Sequence, residues 1–298
     1  MSLLRKIFSA RRRWGALSRI AASSPDAVAL LPRCGVGDFY YVAALHRKFE
    51  STHGIKAAIL CPHTRYEVVS AFVQEDRIVR IPDGLARGAA GWRMLRRGRL
   101  FYAHFYPWEP KWLMGSRAFT LQQAYLKILN LDPNAALPYP VPLSRLDIAG
   151  AKQMLVELGA TERTVIAFPS AISTPGLGPA WAGLLRNVAR DRGWTVLWNS
   201  PPEGRVPGDI VLPQVPLQRI RALCACASLI VAVRSGICEW ISSTPVNQLV
   251  LYPDISYYGR PFQTNATLRG LPGATYRTEV RLRSQHDIET ALRNKVIS

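Results

Sequence analysis

The sequence predicts an α/β protein built as two Rossmann-like domains that face each other across a cleft, preceded by an N-terminal amphipathic helix. Three observations carry this. Short apolar runs alternate with helical stretches along the chain. Glycine- or serine-containing turns directly follow several of those runs. A stretch with four prolines, residues 132–143, divides the alternation into two similar halves. Alternating strand and helix signals argue for parallel, doubly wound sheets. The expected divisions are 1–22 for the basic segment, 23–140 for the first domain and 141–298 for the second.

After a Ser-Ser-Pro-Asp break, AVALLP (27–32) is short and apolar and ends in proline, as a buried strand does. Gly35 and Gly37 then form a tight turn, Asp38 stands at the helix N-cap, and the helix runs to about Glu50. IKAAILCP (55–62) is the second strand, VVSAFVQ is helical, and RIVRIP (77–82) is the third strand. Residues 84–117 resist assignment. They hold Arg87, Arg93, Arg96, Arg97 and Arg99 with no acid until Glu109, interleaved with Trp92, Phe101, Tyr102, Phe105, Tyr106, Trp108 and Trp112. TLQQAYLKIL is a helix, and the prolines that follow mark a linker.

The second half begins with a helix near 149–158, then a buried strand, TVIAFPS (164–170). A helix closes at Gly193, and WTVLWNS (194–200) is the next strand. LQRIRALCACA is helical, SLIVAV (228–233) is a strand, RSGICEWISST is a turn and helix, and NQLVLYP (247–253) is the last strand. Residues 285–295 form a terminal helix.

Length and composition bound the function. At ~150 residues per domain, 298 residues make two domains, each with its own core. Apolar residues are 48% and charged residues 19%, which excludes a disordered chain. Lys and Arg number 38 against 20 Asp and Glu, a formal charge of +18 that calls for an acidic partner. Five cysteines without framework spacing exclude a disulfide scaffold and favour a reducing compartment. Cys224 and Cys226 are too close for a CxxC motif and no His follows at ligand spacing, so no zinc site is expected.

No run reaches the ~18 apolar residues of a membrane-spanning helix. In residues 1–22, Leu3, Leu4, Ile7, Phe8, Trp14, Leu17 and Ile20 recur at roughly helical spacing beside six basic residues. That pattern suits a helix lying in an anionic membrane interface, where each basic residue is worth ~1 kcal/mol. A solvated terminal helix packed on its own protein is the alternative.

Three turns offer chemistry. Gly35-Val36-Gly37-Asp38 places backbone amides at a helix start, where an anion is attracted, and its glycines let a ligand approach. Asp38 alone is equally a plain N-cap. Arg234-Ser235-Gly236, followed by Glu239, offers a cation, a hydroxyl and a glycine after a strand. Arg234 either clamps a diphosphate by bidentate bonds or pairs locally with Glu239. The turn holding Ser170, Ser173 and Thr174 either receives phosphate oxygens or is an ordinary loop. Glu203, after WTVLWNS, is a ribose or base ligand or a solvated loop acid.

These turns together resemble the heptosyltransferase-type, inverting GT-B glycosyltransferases of bacterial envelope assembly. The match covers most of residues 27–255 in order and layout: Gly37-Asp38 opening the first helix of an acceptor domain, Ser170 to Thr174 after the first donor-domain strand, and Ser235-Gly236 after a late strand. PLQRIRALCACASLIVAVRSGICEWIS resembles the donor-site stretch. The resemblance implies transfer of a sugar from a nucleotide-sugar donor to a saccharide or lipid-linked acceptor in surface polysaccharide or lipopolysaccharide assembly. It makes Asp38 the general base. The leaving diphosphate would be met by Arg234 and by the hydroxyls and amides of the two donor turns, with Glu239 beside them. No cofactor and no metal are implied beyond the nucleotide-sugar substrate, and the place of work is the cytoplasm, peripheral to the inner membrane.

The sequence also departs from that pattern. A Lys expected after the Ser/Thr turn is missing from GLGPAWAGL. Arg234 stands where the family has an acid, and Glu239 where it has a His. The donor sugar therefore does not carry over. The basic aromatic segment 84–112 suits an anionic, amphipathic acceptor, or is a solvated loop with a few rings in the core. The rival readings are a non-catalytic protein on the same fold, a nucleotide-sugar epimerase, and a nucleic-acid or anionic-surface binder. No nucleic-acid partner is expected, because no RNA- or DNA-binding motif accompanies the charge.

Overall fold

The structure is a computed structural model that describes residues 15–16, 19–20, 27–33, 35–86, 96–97, 100–103, 120–160, 163–171, 178–257 and 259–297. Most of the N-terminal segment 1–22 and of the basic aromatic segment 84–112 lies outside the described residues. The chain divides into two compact units, Met1–Val141 and Pro142–Ser298.

The first unit is a five-stranded sheet: β1 (Ala27–Pro32), β2 (Lys56–Pro62), β3 (Ile78–Ile81), β4 (Arg96–Arg97) and β5 (Leu100–Ala103), in the order β3-β2-β1-β5-β4. All pairs are parallel except β4 with β5. β1 and β2 are almost wholly buried, which is why they read as continuous apolar runs. Helix α1 (Val36–His53) packs Phe39, Tyr40, Tyr41, Val42 and Leu45 inward. It stops at Gly54, whose left-handed φ of 62° lets its N–H close on the Glu50 carbonyl. The short helices α2 (Tyr66–Ser70) and α3 (Asp83–Ala86) follow β2 and β3. Helix α4 (Leu121–Ile128) starts at a Thr120/Gln123 capping box.

The second unit is a six-stranded, all-parallel sheet: β6 (Thr164–Phe168), β7 (Thr195–Trp198), β8 (Ile210–Val211), β9 (Leu229–Val233), β10 (Asn247–Pro253) and β13 (Arg277–Leu282), in the order β13-β10-β9-β6-β7-β8. A small antiparallel pair, β11 (Ser256–Tyr257) with β12 (Arg260–Pro261), stands apart. The helices are α5 (Arg145–Glu157), α6 (Pro179–Arg190), α7 (Leu217–Cys226), α8 (Gly236–Ile241), α9 (Phe262–Ala266) and α10 (Gln285–Ile297). Trp181 and Trp198 meet edge to face, with centroids 5.8 Å apart, in a core that also takes in Leu185, Val231, Leu249 and Leu292. Arg186 grips Asp209 with two bonds of 2.8 Å, which ties α6 to the approach to β8.

Several elements differ from the sequence expectation; the short β8, α9 and the β11–β12 pair were not expected, and three more bear on the fold. β13 was not anticipated, because it is a sheet edge and is only partly buried. Its Arg277, Glu279 and Arg281 interrupt any apolar run. Those charges have local work: Arg277 donates to the Leu268 and Pro272 carbonyls, and Glu279 accepts from Leu268 N–H and Tyr252 OH. β5 lies inside the basic aromatic stretch that resisted assignment, with its Leu100 and Tyr102 buried against β1. The expected helix at VVSAFVQ ends at Ser70, and a turn follows. Among the described residues no helix is long and apolar enough to cross a membrane.

Candidate functional site

In the first unit the chain builds β1, β2 and β3 outward in one direction, then returns to place β5 on the other flank of β1. The order reverses between β1 and β5. In open α/β sheets the crevice for a ligand opens at such a reversal, beyond the carboxyl ends of the strands. The Gly35–Asp38 turn follows the carboxyl end of β1 and so stands at that point.

The turn is built differently from the expectation for Asp38. Gly35 is the N-cap, and Asp38 is the third helical residue, folding its side chain back so that Oδ2 accepts the Gly35 N–H at 3.0 Å. A Cβ on Gly35 would sit 2.7 Å from that oxygen, so any larger residue would make the carboxylate shift from this position. Gly37 is buried in the first turn. Oδ1 of Asp38 accepts the hydroxyl of Tyr125 at 2.5 Å. Tyr125 is buried on α4, and its ring stacks on Tyr41 with centroids 5.0 Å apart and planes 14° from parallel. Burial, then the negative charge of Asp38, pushes the Tyr125 phenol well above its ordinary range, so it keeps its proton. Sequence reasoning missed Tyr125. Nothing in a helix 87 residues away marks it as a partner of Asp38.

In the second unit β6, β7 and β8 run one way and β9, β10 and β13 the other. The reversal lies between β6 and β9. Ser170 follows β6, and Ser235 and Gly236 follow β9, so both turns chosen from the sequence flank the reversal. Ser170 is exposed, and its Oγ lies 3.4 Å from that of Ser200 at the end of β7. Ser235 caps α8 with an extended backbone, and Gly236 opens the helix. Ser173 and Thr174 lie outside the described residues. Glu203 is exposed on the loop after β7.

Arg234 and Glu239 depart from the reading of a diphosphate clamp. They are 3% and 1% exposed and face each other fork to fork, with Nη1 on Oε2 at 2.9 Å and Nη2 on Oε1. Nε donates to the Ala266 carbonyl and Nη1 to the Ser235 carbonyl, each at 2.7 Å. The guanidinium is therefore a buried brace beneath the turn rather than a cation presented to solvent. Burial raises the thiol of Cys238 beside this pair and that of Cys224, and in the first unit it pushes Cys61 up to about 12, so none is poised as a thiolate.

No protein-family model matches the chain, and no curated protein matches it by sequence. Solved structures do match. The E. coli ADP-heptose lipopolysaccharide heptosyltransferase II has a TM-score of 0.58 at 15% identity, covering 90% of this chain and 98% of that one. The fold is that of the heptosyltransferases. The iron-containing dodecameric glycosyltransferase TibC from enterotoxigenic E. coli H10407 has a TM-score of 0.57 at 13% identity, covering 92% and 79%. A family 9 glycosyltransferase from Veillonella parvula has 0.54 at 11%, covering 90% and 89%. The resemblance drawn from the turns thus holds at the level of a GT-B-like fold, with two α/β units each carrying a mainly parallel sheet.

Proposed function

We propose that the chain is a glycosyltransferase that moves a sugar from a nucleotide-sugar donor to a saccharide or lipid-linked acceptor, in assembly of a bacterial surface polysaccharide or lipopolysaccharide. One observation carries the reading. The turns that the sequence alone singles out fall at the strand-order reversal of each sheet, on a fold shared with heptosyltransferases. Asp38, half-buried and held by two donors, is the general base that takes the acceptor hydroxyl's proton as the oxygen attacks the anomeric carbon. The bond from that carbon to the nucleoside diphosphate breaks. Its charge is met by the hydroxyls of Ser170 and Ser235 and the backbone amide of Gly236, joined by Ser173 and Thr174. The reading assigns no resident metal and no cofactor. Docking at the cytoplasmic face of an anionic membrane through residues 1–22 completes it.

A screen of ADP-, UDP-, GDP-, CMP- and dTDP-sugars by thermal shift, run in EDTA, tests this. A donor at 100 times its dissociation constant adds ~2.7 kcal/mol of stability. One responding nucleotide, followed by transfer to an acceptor, supports the reading. Silence across the panel from folded protein sinks it. Silence would favour a non-catalytic protein on the same fold, a reading that the engagement of Arg234 by Glu239 supports, and would make RNA and anionic vesicles the next ligands to try.

A further inference from the structure

We infer that Tyr125 is a positioning residue: its hydroxyl holds the Asp38 carboxylate in the one orientation that receives the acceptor's proton. The inference rests on the glycosyltransferase reading and extends it to a residue on a second helix.

The geometry starts with the rotation that an aspartate otherwise enjoys. The terminal torsion of Asp is broad, so a lone carboxylate at a helix start samples many orientations. Here both oxygens are tied. Oδ2 is bound to the Gly35 N–H on its own helix, and Oδ1 to the Tyr125 hydroxyl on α4. Two anchors on opposite oxygens fix the plane of the group. A carboxylate has about four acceptor positions, so a bond on each oxygen is compatible with taking up a proton.

The hydroxyl can set that plane because its own ring is fixed. Tyr41 stands one turn beyond Asp38 on α1, on the same helical face, and it stacks on the Tyr125 ring. The turn that carries the carboxylate thus also carries the plate that seats its partner. α4 is anchored at both ends. The Thr120/Gln123 box sets its start, and past its last turn the Leu129 carbonyl lies 2.8 Å from Nε2 of His53, at the far end of α1. Burial, with the charge of Asp38 beside it, holds the phenol well above its ordinary range, so the tyrosine is the donor in this bond. A hydroxyl donating to a carboxylate is among the stronger neutral-to-charged contacts.

Tyr125→Phe removes one oxygen and keeps the stacked ring. Expected is a fall in kcat of roughly 10- to 100-fold, the range for losing a bond to a charged group, with the KM of both substrates within about twofold of wild type. In an Asp38→Asn background the same change has no further effect, because Tyr125 acts through Asp38. Unchanged kcat in Tyr125→Phe overturns the inference. So does an equal loss in both backgrounds, which would mean a purely structural role. If the phenylalanine variant does not fold, 3-fluorotyrosine at position 125 keeps the bond and alters the phenol's acidity. With melting temperature unmoved, kcat changes if the hydroxyl acts on Asp38 and stays put if it does not. Wild type that transfers from no donor fails the glycosyltransferase reading itself. Active wild type with an equally active Tyr125→Phe fails this inference alone.

Discussion

Glu239→Met separates the two readings of Arg234 most sharply. The substitution strands a guanidinium that is 3% exposed and loses both of its bonds to carboxylate oxygens. Breaking one side of a buried pair costs about 3–5 kcal/mol, because the remaining charge has no solvent to return to. In a domain of this size each kcal/mol lowers the melting temperature by ~2–4 °C, so a drop of roughly 6–20 °C is expected. Arg234→Met alone is comparably harmful, since it strands the carboxylate instead.

The double variant, Arg234→Met with Glu239→Met, recovers part of the loss. Two carbonyls forfeit a donor when the guanidinium goes. Ser235 O still accepts Cys238 N–H at 3.0 Å. Ala266 O is left beside the Tyr252 hydroxyl at 3.1 Å, whose single proton goes to Glu279 at 2.7 Å. That carbonyl holds back about 1–3 kcal/mol of the recovery, whereas an apolar pair of similar volume often replaces a buried ion pair without penalty. The assay is thermal unfolding by circular dichroism for the four proteins of the cycle, repeated with a responding donor. Single variants within ~1 kcal/mol of wild type, or a double as damaged as the sum of the singles, would refute the buried-brace account. Loss of donor stabilisation in a well-folded double variant would restore Arg234 as a diphosphate ligand.

Asp38→Asn should lower transfer roughly 10²- to 10⁴-fold, to a measurable residual rate, while leaving the donor's thermal shift intact, measured by coupled release of nucleoside diphosphate; loss of the shift as well would make Asp38 structural. His46 is buried on α1 with Nε2 against the Ala57 carbonyl, and burial lowers its pKa from 6.5 despite that bond and the nearby Glu50. The unfolded chain therefore takes up a proton that the folded one resists, so stability is full above about pH 6.5 and falls as pH drops towards the lowered folded value. His46→Gln should flatten that part of the pH dependence in urea titrations, and an unchanged slope would refute it. Ser235→Ala should weaken the donor shift, whereas Ser256→Ala, the same change just past β10 where no strand reversal occurs, should leave it unaltered. Deleting residues 1–21 should release the protein from anionic vesicles in a flotation assay, and undiminished binding would end the interfacial-helix reading.

What the sequence displayed depended on whether the physics was local. β1, β2, β6, β9 and β10 were legible because strands covered on both faces must be apolar at every position. β13 was not legible, because an edge strand satisfies its charges sideways: Glu279 reaches Tyr252, and Arg277 reaches the carbonyls before it. The Gly35–Asp38 turn was visible, but the cap was placed three residues late. An acid at the cap and an acid at the third helical position look alike in sequence, and only the fold-back onto Gly35 N–H tells them apart. For Arg234 and Glu239 the sequence allowed both a clamp and a pair. Burial decided between them, and burial is set by α9 and the Ala266 carbonyl, 32 residues on from the arginine.

Strand order ties the turns together where no motif could. Turns of glycine, serine and proline follow nearly every strand in this chain, and each contains groups able to hold an anion. The Gly35–Asp38 turn after β1 and the turns after β6 and β9 acquire their significance from connectivity: beside them the strand order reverses, and at such a reversal a crevice opens beyond the carboxyl ends of the strands. Connectivity is a global property that no window of residues encodes. A buried ion pair such as Arg234 with Glu239 can therefore set the turn's chemistry without altering the strand order that forms the crevice. A fold match at 11–15% identity is likewise a match of strand order, not of the side chains at the turns.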